Sequence, residues 1–160
     1  MENLHKPVMI DEIISFIPST KSINVIDATF GGGGYSKAIL EKVNVNQLLA
    51  IDRDSISRIF SNEIVSKFSN FTLINDKFSN IEEIVNSTKF KDKKFDIILF
   101  DLGTSSNQID NPERGFSFNK SGPLDMQMGH SDKNAYEIIN KYEEKNLADI
   151  IYQYGEERYS

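Results

Sequence analysis

The chain has no cysteine, which excludes disulfides and thiolate metal sites. Its two histidines, His5 and His130, stand far apart in sequence, so no metal site is expected. No apolar run approaches a membrane span, and the N-terminus carries no basic-then-apolar signal. A soluble, cytoplasmic protein without a membrane partner is the expectation. Positive charge is also short: 18 Lys and Arg stand against 24 Asp and Glu, a net charge of -6. That argues against generic nucleic-acid binding, which needs a basic face to neutralise phosphates. It leaves room for a structured RNA read by shape and a pocket. There is no internal repeat and no low-complexity tract. What remains is 160 residues, one domain's worth, with 39% apolar residues to build a core.

The apolar spacing predicts strands alternating with helices. Pro7 suits a first helical turn, and Val8, Ile10, Ile13, Ile14 and Ile17 keep a mostly helical spacing until Pro18. Four short apolar runs read as strands: Ile23 to Ala28, Leu48 to Asp52, Phe71 to Ile74 and Phe95 to Asp101. Helices are expected at Tyr35 to Val43, from Asp54 or Ser55 to about Phe68, and at Ile81 to Thr88. In the second of these, Ile56, Ile59, Phe60, Ile64 and Phe68 should face inward. Such alternation implies an α/β fold with a parallel sheet. Gly103 to Met128 is dense in Gly, Pro, Ser, Asn and Asp and reads as one long loop. Two amphipathic helices follow, with stripes Ala135, Ile138, Ile139, Tyr142 and Leu147, Ile150, Ile151, Tyr154.

Three of the four strands finish in or near a carboxylate: Asp27, Asp52 and Asp101. Together they would line one acidic crevice at the carboxyl ends of the sheet, where open α/β sheets bind ligands. The run Gly31 to Gly34 follows Asp27. Glycines there accept positive φ and let a ligand approach the backbone. Ser36 stands where the dinucleotide fingerprint wants a third glycine. The turn therefore reads either as a ligand cradle or as a plain glycine-rich bend. Asp52, roughly 20 residues on, is placed to accept from ribose hydroxyls; its other reading is a helix cap. Phe78, just past the third strand, stacks on an adenine or fills the core.

Asp27 discriminates between cofactors. A carboxylate four residues before the first glycine adds negative charge where a pyrophosphate would sit. It suits a cofactor with an ammonium and a sulfonium, S-adenosylmethionine. Phe30, Tyr35 and Phe78 would add cation–π attraction for the sulfonium. The polar stretch Thr104 to Gln108 after Asp101 offers donors and acceptors to a flat base, or is a Ser/Asn-rich turn. Arg114, between Glu113 and the aromatics Phe116 and Phe118, reads either as an RNA contact or as an arginine over a small satellite core.

Several segments match one family in order and spacing. They are His5-x-Pro7-Val8, Asp27-Ala28-Thr29-Phe30-Gly31-x-Gly33-Gly34, Ile51-Asp52-Arg53-Asp54, and Asp101-Leu102-Gly103-x-Ser105-Ser106-x-Gln108. Glu113 to Phe118, Gly122 to Met126 and Tyr154 to Arg158 complete the set. The chain resembles the bacterial ribosomal RNA small subunit methyltransferase H family (RsmH, also called MraW). The resemblance implies a Rossmann-like methyltransferase sheet, strand order 3-2-1-4 here, with S-adenosylmethionine as cofactor. It implies methyl transfer to the exocyclic amine (N4) of a cytidine in small-subunit ribosomal RNA. By resemblance the cofactor contacts are Gly33, Gly34, Tyr35, Asp52, Phe78, Asp101 and Gln108. Asp101 or a neighbouring backbone carbonyl is the candidate catalytic group, accepting a hydrogen bond from the amine. A cofactor-binding core over 1–128 and the start of a helical insertion over 129–160 are expected.

The chain departs from the family's usual pattern at Gly32 and Gln127, where Arg is common, and at Tyr35, where His is common. Family members are nearly twice as long, so a fragment, a truncated product or a chain completed by a partner is expected, with an open edge at the fourth strand that invites self-association. Two other functions stay open. One is a non-catalytic cofactor- or RNA-binding remnant. The other is an NAD-dependent oxidoreductase, against which Ser36 and Asp27 argue.

Overall fold

The structure, a computed structural model, describes residues 7–18, 21–129 and 133–160; His5 and His130 lie outside the described residues. The chain divides into two compact units, Met1–Asn107 and Gln108–Ser160. The first holds a parallel sheet of β1 (Ile23–Asp27), β2 (Val45–Ile51), β3 (Phe71–Ile74) and β4 (Ile97–Leu99) in the order β3-β2-β1-β4. This is the α/β architecture and the strand order expected from the sequence.

Side chains on a strand alternate between faces, and here both faces are buried. Val25, Leu48 and Ala50 join Ile39, Leu40, Ile64 and Phe71 in one core layer. Their neighbours Ile26, Leu49 and Ile51 join Ile84 and Phe90 in the other. This is why the strands read as continuous apolar runs. The first layer includes residues of α2 (Gly34–Lys42) and α3 (Ser57–Lys67), and α1 (Ile10–Phe16) packs on α2. The second layer is thinner. It draws on α4 (Ile81–Asn86) and on Phe90 from the loop before β4. On β4, Ile98 is 51% exposed.

Several boundaries differ from the sequence reading. β2 starts at Val45 rather than Leu48 because Asn24 and Gln47 pair in register despite their polarity. β4 keeps three residues, since Asp96 turns its carboxylate to the Asn24 N–H and to Lys21. α3 begins at Ser57, and its buried positions are Ser57, Ser61 and Ile64, whereas Ile59 is 67% exposed. Ser57 belongs inside because its Oγ accepts from Asn75 Nδ2 at 2.7 Å.

The second unit is bound mainly by its own loop. Arg114 donates to the Gln127 carbonyl at 2.6 Å and lies over the Phe116 ring at 5.9 Å. Arg114 thus ties a local cluster together. α5 (Ser106–Asp110) interrupts the expected long loop, and α6 (Ala135–Lys141) and α7 (Glu144–Gly155) close the chain. Asn134 caps α6 by accepting from the Glu137 N–H at 2.8 Å.

Candidate cofactor site at the carboxyl ends of the strands

The register sets the strand ends level. Asp27 lies opposite Ala50 on β2 and Leu99 on β4. Its side chain is fully buried. One carboxylate oxygen accepts from Ser36 Oγ at 2.6 Å, the other from the Thr29 N–H at 3.3 Å. Burial pushes the Asp27 carboxyl from 3.8 up to about 6, the two hydrogen bonds pull the other way, and the nearby charges of Asp52 and Asp101 push it further up. The crevice is thus an environment in which negative charge is already crowded.

Asp52 joins two loops. Its Oδ2 accepts from the Gly31 N–H at 2.6 Å and its Oδ1 from the Asp54 N–H at 2.8 Å. Burial raises its carboxyl as well, against those two hydrogen bonds. Asn75 braces the second loop, its Nδ2 donating to the Asp52 and Asp54 carbonyls, each at 3.2 Å. Neither acid caps α3, whose N-cap is Ile56; Asp54 Oδ1 accepts from the Ile56 N–H at 3.2 Å in the turn that leads into it.

The glycine turn has one packed side and one open side. Gly33 has φ +80, and a Cβ there would meet Phe30 Cζ at 2.6 Å; one on Gly34 would meet Pro7 Cγ at 2.5 Å. These glycines let the turn lie against the core and the N-terminal segment. Gly31, by contrast, would put a Cβ no closer than 4.0 Å to any neighbour, the nearest being Ser105 Cβ. Thr29 Oγ1 accepts from the Asp101 N–H at 2.7 Å, so the segment after β4 is tied to the segment after β1. Phe78, 41% exposed, meets the half-exposed Phe100 edge to face with ring centroids 5.5 Å apart.

These features are those of a ligand site on an open α/β sheet, and its order of residues is a family's order. The profile of the MraW methylase family matches residues 2–160. The chain belongs to that family. A ribosomal RNA small subunit methyltransferase H from Caldicellulosiruptor saccharolyticus is 46% identical over 98% of this chain and 51% of its own length. The protein of that name from Zymomonas mobilis is 45% identical over 98% of this chain and 46% of its own length. The one from Rickettsia bellii is 43% identical over 100% of this chain and 51% of its own. The chain therefore spans about half the length of these curated relatives. An rRNA methylase structure from Streptococcus thermophilus overlays with a TM-score of 0.47 at 19% identity, covering 64% of this chain and 58% of that one.

Within this MraW-family chain, the expected site residues of the first unit fall at the strand ends: Gly33, Gly34, Tyr35, Asp52, Phe78 and Asp101. Gln108 is buried in the second unit. The proposed trio of aromatics does not stand as one cage. Phe30 is a core residue, 2% exposed and packed on Phe71. Tyr35 is buried, and its hydroxyl donates to the Val8 carbonyl at 2.7 Å. Only Phe78 of the three presents its ring. Sequence reasoning missed Thr29, Ser36, Asn75 and Phe100. Ser36 had a signal: a hydroxyl one turn into the helix beside a buried strand-end acid is a ready partner for it. Phe100 had none, because it reads as the last residue of an apolar strand. Among the described residues no group of three His, Cys, Asp or Glu is arranged to hold a metal.

Proposed function

We propose that the chain carries the S-adenosylmethionine-binding part of a methyltransferase that acts on the exocyclic N4 amine of a cytidine in small-subunit ribosomal RNA. Three carboxylates gathered around one glycine turn at the carboxyl ends of a parallel sheet carry this reading. Asp27 is buried beside two other acids, so a positively charged ligand is favoured there and a pyrophosphate is not. The names of the relatives supply the class of substrate. The cofactor, when bound, supplies an activated methyl group.

The chain's own residues then divide the work. Asp52 accepts from the ribose hydroxyls while still holding the Gly31 and Asp54 amides. The exposed Phe78 and Phe100 rings offer apolar surface to the adenine. Gly33, Gly34 and Tyr35 shape the turn under the methionine end. Asp101 accepts a proton from the cytidine amine. That nitrogen is a weak nucleophile because its lone pair is delocalised into the ring, and an acceptor for its proton lets it pyramidalise. A base within folded RNA has to turn out of its stack to reach such a site. Residues 1–128 would form the cofactor-binding core and 129–160 the start of an inserted helical part, in a cytoplasmic protein. Asp101 to Thr104 are exposed, so the target side of the crevice is open and these 160 residues alone should turn over little.

Calorimetry on the folded chain tests the reading. S-adenosylmethionine and its demethylated product should bind, and NAD much more weakly. Equal or tighter NAD binding would end the methyltransferase assignment.

A further inference from the structure

The chain is acidic as a whole, yet it concentrates unpaired positive charge in one place. Residues 89–94 read Lys-Phe-Lys-Asp-Lys-Lys, and all four lysines are exposed. Elsewhere in the first unit Lys21, Lys37, Lys42 and Lys67 each lie in an ion pair with Asp96, Glu63, Asp11 and Glu63 respectively, and Lys77 alone of the other described lysines there does not. Among the described residues, none of Lys89, Lys91, Lys93 and Lys94 does. Lys21 sits at the same end of the sheet, so five lysines there face two carboxylates, Asp92 and Asp96.

The loop is not a loose basic tail. Phe90 is fully buried in the second core layer, and its ring packs on Phe95 with centroids 6.0 Å apart. The Lys93 N–H donates to the Phe90 carbonyl at 3.0 Å and the Lys91 N–H to the Thr88 carbonyl at 3.2 Å. Asn24 Nδ2 donates to the Lys94 carbonyl at 2.8 Å, pinning the far end to β1. Lysines held on an anchored loop lose less backbone freedom on binding than a disordered segment would. Four ammonium groups with no carboxylate partners are the groups that phosphates displace counterions to meet.

We propose that the 89–94 loop is a docking surface for the phosphate backbone of RNA, separate from the cofactor crevice. It precedes β4, so it lies at the amino ends of the strands, whereas the glycine turn, Asp52 and Asp101 lie at the carboxyl ends. A five-residue strand separates the two ends by about 16 Å. The nucleotide being modified therefore does not touch this loop. It grips a second part of a large folded RNA and so supplies the phosphate contacts that the acidic crevice lacks. This inference rests on the reading of ribosomal RNA as substrate, and its test is separable from that reading.

The test follows binding of a fluorescein-labelled RNA hairpin by anisotropy across a salt series. Four forms of the 160-residue chain are compared: wild type, Lys89/Lys91/Lys93/Lys94→Gln, the same four positions→Arg, and the charge-matched Lys37/Lys42/Lys67/Lys141→Gln. Each lost phosphate contact should flatten the plot of log K against log salt by about 0.7–0.9. The loop variant should thus lose about 3 from its slope and bind at least about tenfold more weakly at low salt. The charge-matched variant should keep the wild-type slope, and Lys→Arg at the four loop positions should keep it too. Equal losses in both Gln variants, or none in either, would overturn the docking surface. Cofactor calorimetry on the loop variant should match wild type. If it does while the slope is unmoved, only this inference fails; if no form binds cofactor, the methyltransferase reading fails on its own account.

Discussion

Replacing Asp27 by Asn should change the pH dependence of stability in a defined direction. The folded chain holds the Asp27 proton to about pH 6, against 3.8 for a solvated carboxyl. That difference is worth about 3 kcal/mol between the two protonation states. The native state binds this proton more tightly than the unfolded chain, so the contribution is full below about pH 4, falls as pH rises to about 6, and is gone above it. Asp27→Asn keeps the shape and cannot ionise. Relative to wild type, the variant should gain about 3 kcal/mol between pH 4 and pH 7.5. Glu63, Asp96 and Glu137 act with the opposite sign, held low by hydrogen bonds from Lys67 and Lys37, Lys21, and Lys141. They are present in both proteins, so their effect cancels in the difference. Urea unfolding of both forms at half-unit pH steps measures it. A difference that stays flat from pH 4 to 7.5 would mean that Asp27 ionises as a solvated acid does and that the buried-crevice argument is wrong. The same variant should bind S-adenosylmethionine less well above pH 6, since a buried negative charge beneath the glycine turn is lost.

Asp52→Ala should weaken cofactor binding by about 1.5–3 kcal/mol in calorimetry, the range for losing a charge-assisted hydrogen bond. Asp54→Ala should instead cost about 1 kcal/mol of stability through the lost turn bond to the Ile56 N–H, and the reverse ranking would show the ribose acid misassigned. Ser36→Ala removes a hydrogen bond that lowers the Asp27 carboxyl, so the pH at which stability levels off should move up; a downward move would contradict the 2.6 Å contact. Gly33→Ala should destabilise by about 2 kcal/mol, since φ +80 and the 2.6 Å approach to Phe30 both oppose a Cβ; an unchanged thermal midpoint would refute this. The free side of β4 should make the chain self-associate, and a monodisperse monomer in light scattering at high concentration would count against it.

The sheet was legible because its strands are buried on both faces and each ends near an acid or a glycine. Ile23 to Ile26 and Leu48 to Ile51 announce themselves, and their order follows from the family. The edges were less legible. Asn24, Asn46 and Gln47 lie where two strands begin, and their polarity masks a pairing that Asn46 Nδ2 supports by donating to Asn24 Oδ1 at 2.9 Å. The inward serines of α3 could not be read from hydrophobic spacing, because what they bury are hydrogen bonds, Ser57 with Asn75 and Ser61 with the Arg58 carbonyl, rather than an apolar surface. In the site, the carboxylates were found by position, while their tethers were not. Thr29, Ser36 and Asn75 are polar residues whose partners lie 9 to 72 positions away in the chain. Phe30 was misjudged because nearness in sequence to the glycines says nothing of which side of the turn a ring takes.

The uneven thickness of the two core layers bears on how the molecule breathes. Backbone amides of β1 and β2 are covered on both faces and should exchange with solvent only when the whole sheet opens. Those of Ile97–Leu99 lie on a three-residue strand that comes last in the strand order, with Ile98 half exposed, so they should exchange through small local excursions. Asp101 hangs from this soft strand, whereas Asp27 and Asp52 hang from the stiff ones. One wall of the crevice is therefore set in advance and the other is free to adjust to what enters it. Deuterium uptake at β4 is consequently the place where a ligand settling between the walls would leave its clearest imprint.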